Sequence, residues 1–268
     1  LVREQDSVGG GWDTNQDFQG SMDEVAIYNR ALSQAEVQSL MGGVSIQPAA
    51  STPPSTTSPS TPAQAGLVGY WNFNDGSGTV ARDSSGNGND GAISGATWSA
   101  GKFGSALRFD GNDDYVLVKQ TFLFHQSTDA TLSFWLRPDD AQIRAVFWTR
   151  GDGGDSNRFH IHSGLGLDYR AADGAYHPLA PGSTSLSENQ WVYIAITRSG
   201  NTYSVYKDGQ LVTKATDSRP DLPKYTGSWL IGRRPDISTN AYKGLIDEVA
   251  LYNRALSQAE VQSLMGGV

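Results

Sequence analysis

Cysteine is absent from the chain. This absence excludes a disulfide scaffold, a zinc site built on cysteine thiolates and catalysis by a thiol. The chain also contains no run of about 18 apolar residues, the minimum that a helix needs to cross a bilayer. The sequence therefore predicts no insertion into a membrane.

Positive charge is scarce as well. The chain has 20 lysines and arginines against 28 aspartates and glutamates, and its formal net charge is -8 at pH 7. Binding to phosphates requires a cluster of basic side chains, and the sequence shows none, so we expect no nucleic-acid partner. The chain is rich instead in glycine (31 residues) and in aromatic residues (10 %). This composition is typical of an extracellular β-rich domain with many tight turns.

A long segment of the sequence occurs twice. Residues 23–44 repeat residues 247–268, and the two copies differ only where Ile27 stands in place of Leu251. Repetition at so long a spacing indicates tandem domains rather than a solenoid of short units.

The repeat predicts three parts of the chain. Residues 1–44 are interpreted as the C-terminal fragment of a preceding repeat, which is too short to bury a core by itself. Residues 45–65 are rich in proline, serine and threonine and predict an extended linker. Residues 66–268 then form one complete domain. Because the sequences match, Asp23–Arg30 could compete for the position of Asp247–Arg254 by strand exchange.

From residue 66 onward, short runs of alternating apolar and polar residues are separated by turn residues. Many such runs indicate an all-β domain, an antiparallel β-sandwich. Asp208-Gly209 lies between two runs and predicts a two-residue hairpin, because both positions accept positive φ. The predicted strands are 67–73, 106–109, 115–118, 130–136, 145–148, 158–162, 166–169, 191–197, 203–206, 210–213, 229–231 and 245–252.

One helix is predicted with clear boundaries, from Ser257 to Met265. Ser257 and Glu260 have the spacing of a capping box, in which each side chain accepts a hydrogen bond from the backbone of the other. Val261 and Leu264 provide an apolar face, and the two glycines that follow end the helix.

Several short motifs follow one another in the order found in a known family. They are Gly69–Phe73, Asp83–Gly91, Gly104–Gly111, Leu132–Trp135, Trp191–Ala195, Tyr206–Gly209 and Ile246–Val249. Over about all of residues 66–268, the chain resembles the laminin-G-like (concanavalin A-like) jelly-roll family. The resemblance implies a jelly roll whose first and last strands lie close together. It also implies a non-catalytic part of a secreted enzyme or adhesin that binds glycans or proteins, and often a Ca²⁺ ion.

The loop Asp83–Asp90 concentrates short oxygen-bearing side chains and glycine. Such a loop suits Ca²⁺, which takes roughly six to eight oxygen ligands. With the resemblance, this predicts a structural Ca²⁺ bound by Asp83, the Gly86 carbonyl, Asn89 and Asp247, with Glu248 as the alternative to Asp247. The competing interpretation is a turn whose side chains bond to local backbone.

The segment from residue 148 to residue 177 combines aromatic, arginine and histidine side chains. Such groups suit a sugar, whose apolar face stacks on aromatic rings and whose hydroxyls bond to charged groups. The predicted ligand-binding residues are Trp148, Arg150, His160, His162, Tyr169, Arg170 and Tyr176. Two alternatives stay open: a zinc site on His160 and His162, with His177 or an aspartate as the third ligand, and a solvated polar face of the sheet.

The sequence shows no pattern of catalytic residues. Glycoside hydrolases built on related jelly rolls use paired carboxylates on one strand, and Glu188 is the only glutamate between residues 66 and 246. A Gly-x-Ser-x-Gly elbow is missing as well. We therefore predict a non-enzymatic domain, and any catalytic domain of the parent protein would lie outside this segment.

The sequence as a whole predicts a Ca²⁺-dependent carbohydrate-binding module of a secreted multidomain protein, with a glycan or polysaccharide as its partner. Any signal peptide is expected upstream of Leu1. The alternative is a structural or adhesive repeat that binds other proteins or neighbouring repeats.

Overall fold

The computed structural model describes residues 64–119, 128–142, 144–149, 158–162, 166–170, 176–180, 186–217, 228–233 and 241–268. The chain divides into two compact units, Leu1–Thr57 and Ser58–Val268, and every described residue belongs to the second. The predicted N-terminal fragment and all but the last two residues of the predicted linker lie outside the described residues. The three domain boundaries therefore stay a prediction.

The described residues form sixteen β-strands. Most are short, and most predicted strands are present with ends shifted by one to a few residues. In chain order they are β1 (Leu67–Trp71), β2 (Val80–Ala81), β3 (Gly91–Ser94), β4 (Thr97–Ala100), β5 (Ser105–Asp110), β6 (Tyr115–Val118), β7 (Asp129–Pro138), β8 (Ala145–Thr149), β9 (Arg158–His162), β10 (Leu167–Arg170), β11 (Tyr176–Ala180), β12 (Val192–Ser199), β13 (Thr202–Lys207), β14 (Gln210–Thr216), β15 (Trp229–Ile231) and β16 (Lys243–Tyr252).

These strands pair into two antiparallel sheets. The first has the order β14-β13-β12-β7-β16-β5-β4, with β1 also paired to β16, and the second has the order β11-β10-β9-β8-β15-β6-β3-β2. The predicted all-β antiparallel sandwich of jelly-roll type is thereby confirmed. The predicted hairpin is confirmed as well, because Asp208 and Gly209 join β13 to β14 with φ values of 48° and 72°.

Strand β16 organises the first sheet. One of its edges pairs with β7, while the other pairs first with β5 and then with β1. The change of partner occurs at a β-bulge, where the register against β7 shifts between Asp247 and Ala250 and Glu248 has a φ of 54°. The pairing of β1 with β16 confirms that the first and last strands of the domain meet.

Apolar side chains from both sheets fill the interior of the sandwich. Phe134 of β7 meets Phe147 of β8 across this core, with ring centroids 4.7 Å apart. Trp71 is also in this cluster. Trp135 is buried elsewhere, in a second cluster on the outer face of the first sheet.

The second cluster lies beneath a short helix, α1 (Gln258–Ser263), and the 3₁₀ turn Leu264–Gly266 that follows it. The predicted capping box of Ser257 and Glu260 is present. The helix is shorter than predicted, because its last turn tightens into 3₁₀ geometry, a common way to satisfy the final carbonyls. Within the described part of the chain, helices are too short or too polar to span a bilayer.

Candidate functional site

Strands β8 to β11 lie at one end of the second sheet and bring most of the predicted ligand-binding residues onto neighbouring strands. We call these four strands the candidate face. Trp148 of β8 is in register with His160 of β9, which is in register with Asp168 of β10. Arg170 of β10 is in register with Tyr176 of β11. Hydrogen bonding between adjacent strands thus assembles residues that are far apart in the sequence.

The remaining predicted residues occupy other positions on these four strands. His162 is in register with Ala145 of β8. Tyr169 lies on the rung next to that of Arg170, in register with His177, and adjacent rungs of a sheet alternate between its two faces. Arg150 and the side chains of His160, Tyr169, Arg170 and Tyr176 lie outside what the structure describes, so their roles stay predictions.

Trp148 differs from its expected role. Its side chain is only 3 % exposed, and its register partner Leu230 on β15 is 5 % exposed. A ring buried to this extent packs against its neighbours and presents little surface for a sugar to stack on. Stacking beside Arg170 and His160 would therefore depend on Tyr176, because Tyr169 occupies a rung of the opposite face of the sheet.

The predicted calcium loop is organised by Asp83. Its Oδ1 accepts hydrogen bonds from the backbone N–H groups of Tyr70 and Ser85, both at 2.9 Å, and its Oδ2 accepts one from Asn89, also at 2.9 Å. Burial raises the pKa of Asp83, but the hydrogen bonds from Ser85, Tyr70 and Asn89 outweigh this effect and lower it below its ordinary value. Asp83 is therefore held in its charged form.

The asparagines of this loop attach it to β1. Asn89 Nδ2 donates to the carbonyl of Val68 at 2.9 Å, and Asn87 Nδ2 donates to the carbonyls of Leu67 and Val68 at 3.1 Å each. Gly86 lies at the exposed tip with a φ of 84°. These contacts agree with the competing interpretation, in which the side chains of the loop bond to nearby backbone.

Asp247 lies in a different hydrogen-bonded group. It is fully buried, and its Oδ2 accepts from the backbone N–H groups of Lys102 (2.8 Å) and Phe103 (3.1 Å), while its Oδ1 accepts from Glu248 (2.8 Å). Burial outweighs these hydrogen bonds and raises the pKa of Asp247 to about 7. The described hydrogen bonds join Asp83 to Asn89 but join neither to Asp247, so the four-ligand set stays a prediction.

A second acidic group lies in the turn between β5 and β6, and the sequence motifs did not single it out. Oxygens of Asp110, Asp113 and Asp114 lie within 4.8 Å of one another. Burial, followed by the nearby charges of Asp110 and Asp113, raises the pKa of Asp114. The run Asp-Gly-Asn-Asp-Asp at this turn was the available signal, because a turn folds closely spaced carboxylates together.

A comparison with models of protein families shows the family to which the chain belongs. The family model described as the concanavalin A-like lectin/glucanases superfamily matches residues 3–38 and 110–262. The chain belongs to this superfamily. No curated protein matches it by sequence.

Solved structures that resemble this superfamily member include sugar-bound proteins and a toxin. Domain 4 of AbnA, a GH43 extracellular arabinanase from Geobacillus stearothermophilus in complex with arabinotriose, has a TM-score of 0.63 and 20 % identity over 75 % of this chain and 98 % of that chain. The binding domain of Paraclostridial Mosquitocidal Protein 1 has a TM-score of 0.56 and 19 % identity over 75 % of this chain and 52 % of that chain. A Trypanosoma rangeli sialidase in complex with 2,3-difluorosialic acid has a TM-score of 0.54 and 20 % identity over 74 % of this chain and 32 % of that chain. Because these sequence identities are low, the similarity shows only a shared fold, and this fold is lectin-like.

Proposed function

We propose that residues 66–268 form a non-catalytic carbohydrate-binding module of a secreted multidomain protein, and that the candidate face contacts the glycan. One observation carries this proposal. The chain spans 98 % of an arabinanase domain solved with arabinotriose, at a TM-score of 0.63. A fold by itself does not determine function, so the proposal also depends on the residues of the candidate face.

The candidate face supplies the side-chain chemistry that a sugar requires. Tyr176 and Arg170 are directly paired, and Asp168 and His160 are paired two rungs away. An aromatic ring can cover the apolar side of a sugar, while arginine, histidine and aspartate bond to its hydroxyls. The pairing of the strands fixes the spacing of these residues before a sugar binds, and such preorganisation favours binding.

The adjacent carboxylates of Asp247 and Glu248 are not placed for catalysis, in agreement with the proposed non-catalytic role. Hydrolysis of a glycosidic bond requires two carboxyl groups that flank the substrate. Asp247 and Glu248 are adjacent in sequence, but they are 0 % and 5 % exposed and face the protein interior. Glu188 is exposed, and its Oε1 accepts a hydrogen bond from the backbone N–H of Ala141 at 3.2 Å.

Calcium dependence is part of the proposal. Carboxylate and amide oxygens of Asp83, Asn89 and Asp247, with the carbonyl of Gly86, are the ligand types that Ca²⁺ prefers. An ion bound by all four would fasten the loop that follows β1 to the bulge of β16. It would therefore stabilise the junction of the first and last strands.

A structural or adhesive role, with protein partners or neighbouring repeats, is the second candidate function. The near-identity of residues 23–44 and 247–268 favours it, because modules repeated with little change are common in adhesins.

A glycan array that includes arabinotriose and sialylated oligosaccharides, probed with and without EDTA, tests the proposal. Binding to a defined glycan class that EDTA weakens supports a calcium-dependent module, and binding that EDTA leaves unchanged supports a calcium-independent one. If no glycan is bound in either condition, the adhesive function is favoured instead.

A further inference from the structure

Asn87 is the only asparagine of the chain that is followed directly by a glycine. This order of residues is chemically reactive, because the backbone nitrogen of the following residue can attack the side-chain carbonyl carbon of asparagine. Glycine has no side chain to hinder the approach, and its backbone adopts many conformations. Asn87 and Gly88 lie in the loop that joins β2 to β3, and both are exposed, so water reaches them.

The backbone of Gly88 is open to such a reaction. Its φ is 77°, and apart from its chain neighbours a Cβ built on it would meet no atom within 4 Å. No described residue accepts a hydrogen bond from the N–H of Gly88. An exposed N–H that is not hydrogen-bonded within the protein can lose its proton to hydroxide. The resulting nitrogen is a nucleophile that is held next to its target by the chain itself, which makes the attack intramolecular.

The side-chain nitrogen of Asn87 attaches the loop to the first strand. Asn87 Nδ2 donates to the carbonyls of Leu67 and Val68 in β1, at 3.1 Å each. It also donates to the hydroxyl oxygen of Ser85, at 3.1 Å. These hydrogen bonds of the side chain all use the nitrogen, which is the atom that the reaction removes. Loss of this nitrogen would therefore end the attachment of Asn87 to β1.

The rest of the loop has attachments of its own. Asp83 accepts a hydrogen bond from the backbone N–H of Tyr70, and Asn89 donates one to the carbonyl of Val68, both at 2.9 Å. A change at Asn87 would therefore loosen the loop without releasing it entirely. Because Asp83 is held in its charged form, a carboxylate at position 87 would add a second negative charge to the loop.

We propose that Asn87 is a site of spontaneous hydrolytic modification, at which its amide becomes a carboxylate and its attachment to β1 is lost. A bond forms between the nitrogen of Gly88 and Cγ of Asn87, and the bond from Cγ to Nδ2 breaks. Nδ2 leaves as ammonia with the proton that the nitrogen of Gly88 gave up to the solvent. A cyclic imide remains.

Water then opens the imide. It adds to either of the two imide carbonyls and breaks the bond from that carbonyl to the nitrogen, which gives aspartate or isoaspartate. The reaction consumes one water and releases one ammonia, and it requires no oxidant and no cofactor. A carboxylate accepts hydrogen bonds but cannot donate them, so the product faces the carbonyls of Leu67 and Val68 as one acceptor against two others. This proposal is independent of glycan binding.

Peptide mass spectrometry on the full chain tests the proposal, after incubation of the folded protein at mildly alkaline pH. An increase of about 1 Da marks each modified asparagine. Asn112 is the matched control, because it is also exposed and its Nδ2 also donates a hydrogen bond, but Asp113 follows it. Asn87 should react at least about tenfold faster than Asn112, since glycine does not hinder ring closure. Equal rates at the two positions would overturn the proposal.

Two further samples separate the effect of the fold from that of the sequence. Gly88→Ala should slow the reaction at Asn87 by about tenfold, because a Cβ hinders the attacking nitrogen, and an unchanged rate would contradict the mechanism. The wild type unfolded in urea gives the rate without the loop. Reaction at Asn87 in the unfolded chain alone would mean that the hydrogen bonds to β1 prevent it, and the proposal would fall.

Asn87→Asp measures what the modification does to the fold. It should lower the thermal unfolding midpoint by about 2–4 °C, the shift expected when a domain of this size loses a hydrogen-bonding group. Asn74→Asp is the control: it adds the same charge at an exposed position, but Asn74 Oδ1 is an acceptor, from the N–H of Ser105 at 2.8 Å, and a carboxylate keeps this role. Asn74→Asp should change the midpoint less. Equal shifts in the two variants would overturn the loss of attachment.

Discussion

The hydroxyl of Tyr70 in the first strand donates a hydrogen bond to the carboxylate of Glu248 in the last strand. Both groups are buried. Burial raises the pKa of Glu248, which the hydrogen bond from Tyr70 opposes, and burial together with the neighbouring carboxylate raises the pKa of Tyr70 well above its usual range. The phenol therefore stays a donor, and it satisfies a carboxylate of a residue that is only 5 % exposed.

Removal of this hydroxyl should destabilise the fold. Tyr70→Phe leaves Glu248 buried without this donor, so we expect a loss of about 1–3 kcal/mol in the free energy of unfolding, measured with urea. Tyr252→Phe is the matched control, because the buried hydroxyl of Tyr252 has no hydrogen-bond partner among the described residues. The control should be neutral or slightly stabilising, and equal losses in the two variants would contradict the role given to Glu248.

The pH dependence of stability should reflect Asp247. Burial raises its pKa from 3.8 to about 7 in the folded protein, so between these values the folded protein holds a proton that the unfolded chain has released. The contribution of Asp247 to the free energy of unfolding is therefore fully present below pH 3.8 and is lost as pH rises through about 7.

Urea unfolding in EDTA at about pH 5 and about pH 8 measures this decrease. Carboxylates with lowered pKa values, such as Asp83 and Glu260, act at lower pH, whereas Glu248 and Asp114, whose pKa values are raised, contribute in the same direction as Asp247. Asp247→Asn should reduce the difference between the two pH values. An unchanged difference in this variant would assign the pH dependence to other groups.

Two glycines with positive φ should respond differently to alanine. At Gly232 (φ 99°) a Cβ would lie 2.4 Å from ring carbons of the buried Phe109, whereas at Gly86 (φ 84°) it would meet nothing within 4 Å. Gly86→Ala should cost about 1 kcal/mol from backbone strain alone. Gly232→Ala adds a steric clash and should cost about 3 kcal/mol. Thermal or urea unfolding compares them, and similar losses would mean that the core around Phe109 adapts.

Alternating sequence patterns predicted the strands that carry large apolar residues. Tyr115–Val118, Arg158–His162 and Trp229–Ile231 have the predicted bounds, because turn residues mark both ends of each alternating run. Three strands near the start of the domain, β2, β3 and β4, were not predicted, since they are short and consist mainly of small residues. Strand β11 was missed because it contains Pro178, which an edge strand tolerates.

The candidate site was harder to predict, because its contacts are long-range. The bulge at Asp247 and Glu248 is hidden in the sequence, where two adjacent acids merely interrupt an apolar run. Their burial depends on donors from Lys102, Phe103 and Tyr70, which lie more than a hundred positions away along the chain. Local spacing selected the residues of the candidate face, whose role stays a prediction, and it did not reveal the burial of Trp148.

Calcium should raise the thermal stability of the domain if Asp83, Gly86, Asn89 and Asp247 bind it. An ion that binds only the folded state at about one hundred times its Kd adds about 2.7 kcal/mol to the free energy of unfolding. The unfolding midpoint should therefore fall when EDTA is added and recover with excess Ca²⁺. A midpoint that EDTA does not change would contradict the site.

Glycan binding by a matched pair of variants tests the central claim most directly. Arg170→Ala removes a positive charge from β10 of the candidate face, whereas Arg82→Ala removes the same charge beside β2, at the opposite end of the second sheet. On one glycan array, the wild type and Arg82→Ala should bind the same glycans, and Arg170→Ala should bind them about tenfold more weakly, the loss expected for one charged hydrogen bond. Equal binding by the two variants, or no binding by the wild type, would contradict a carbohydrate-binding role for the candidate face.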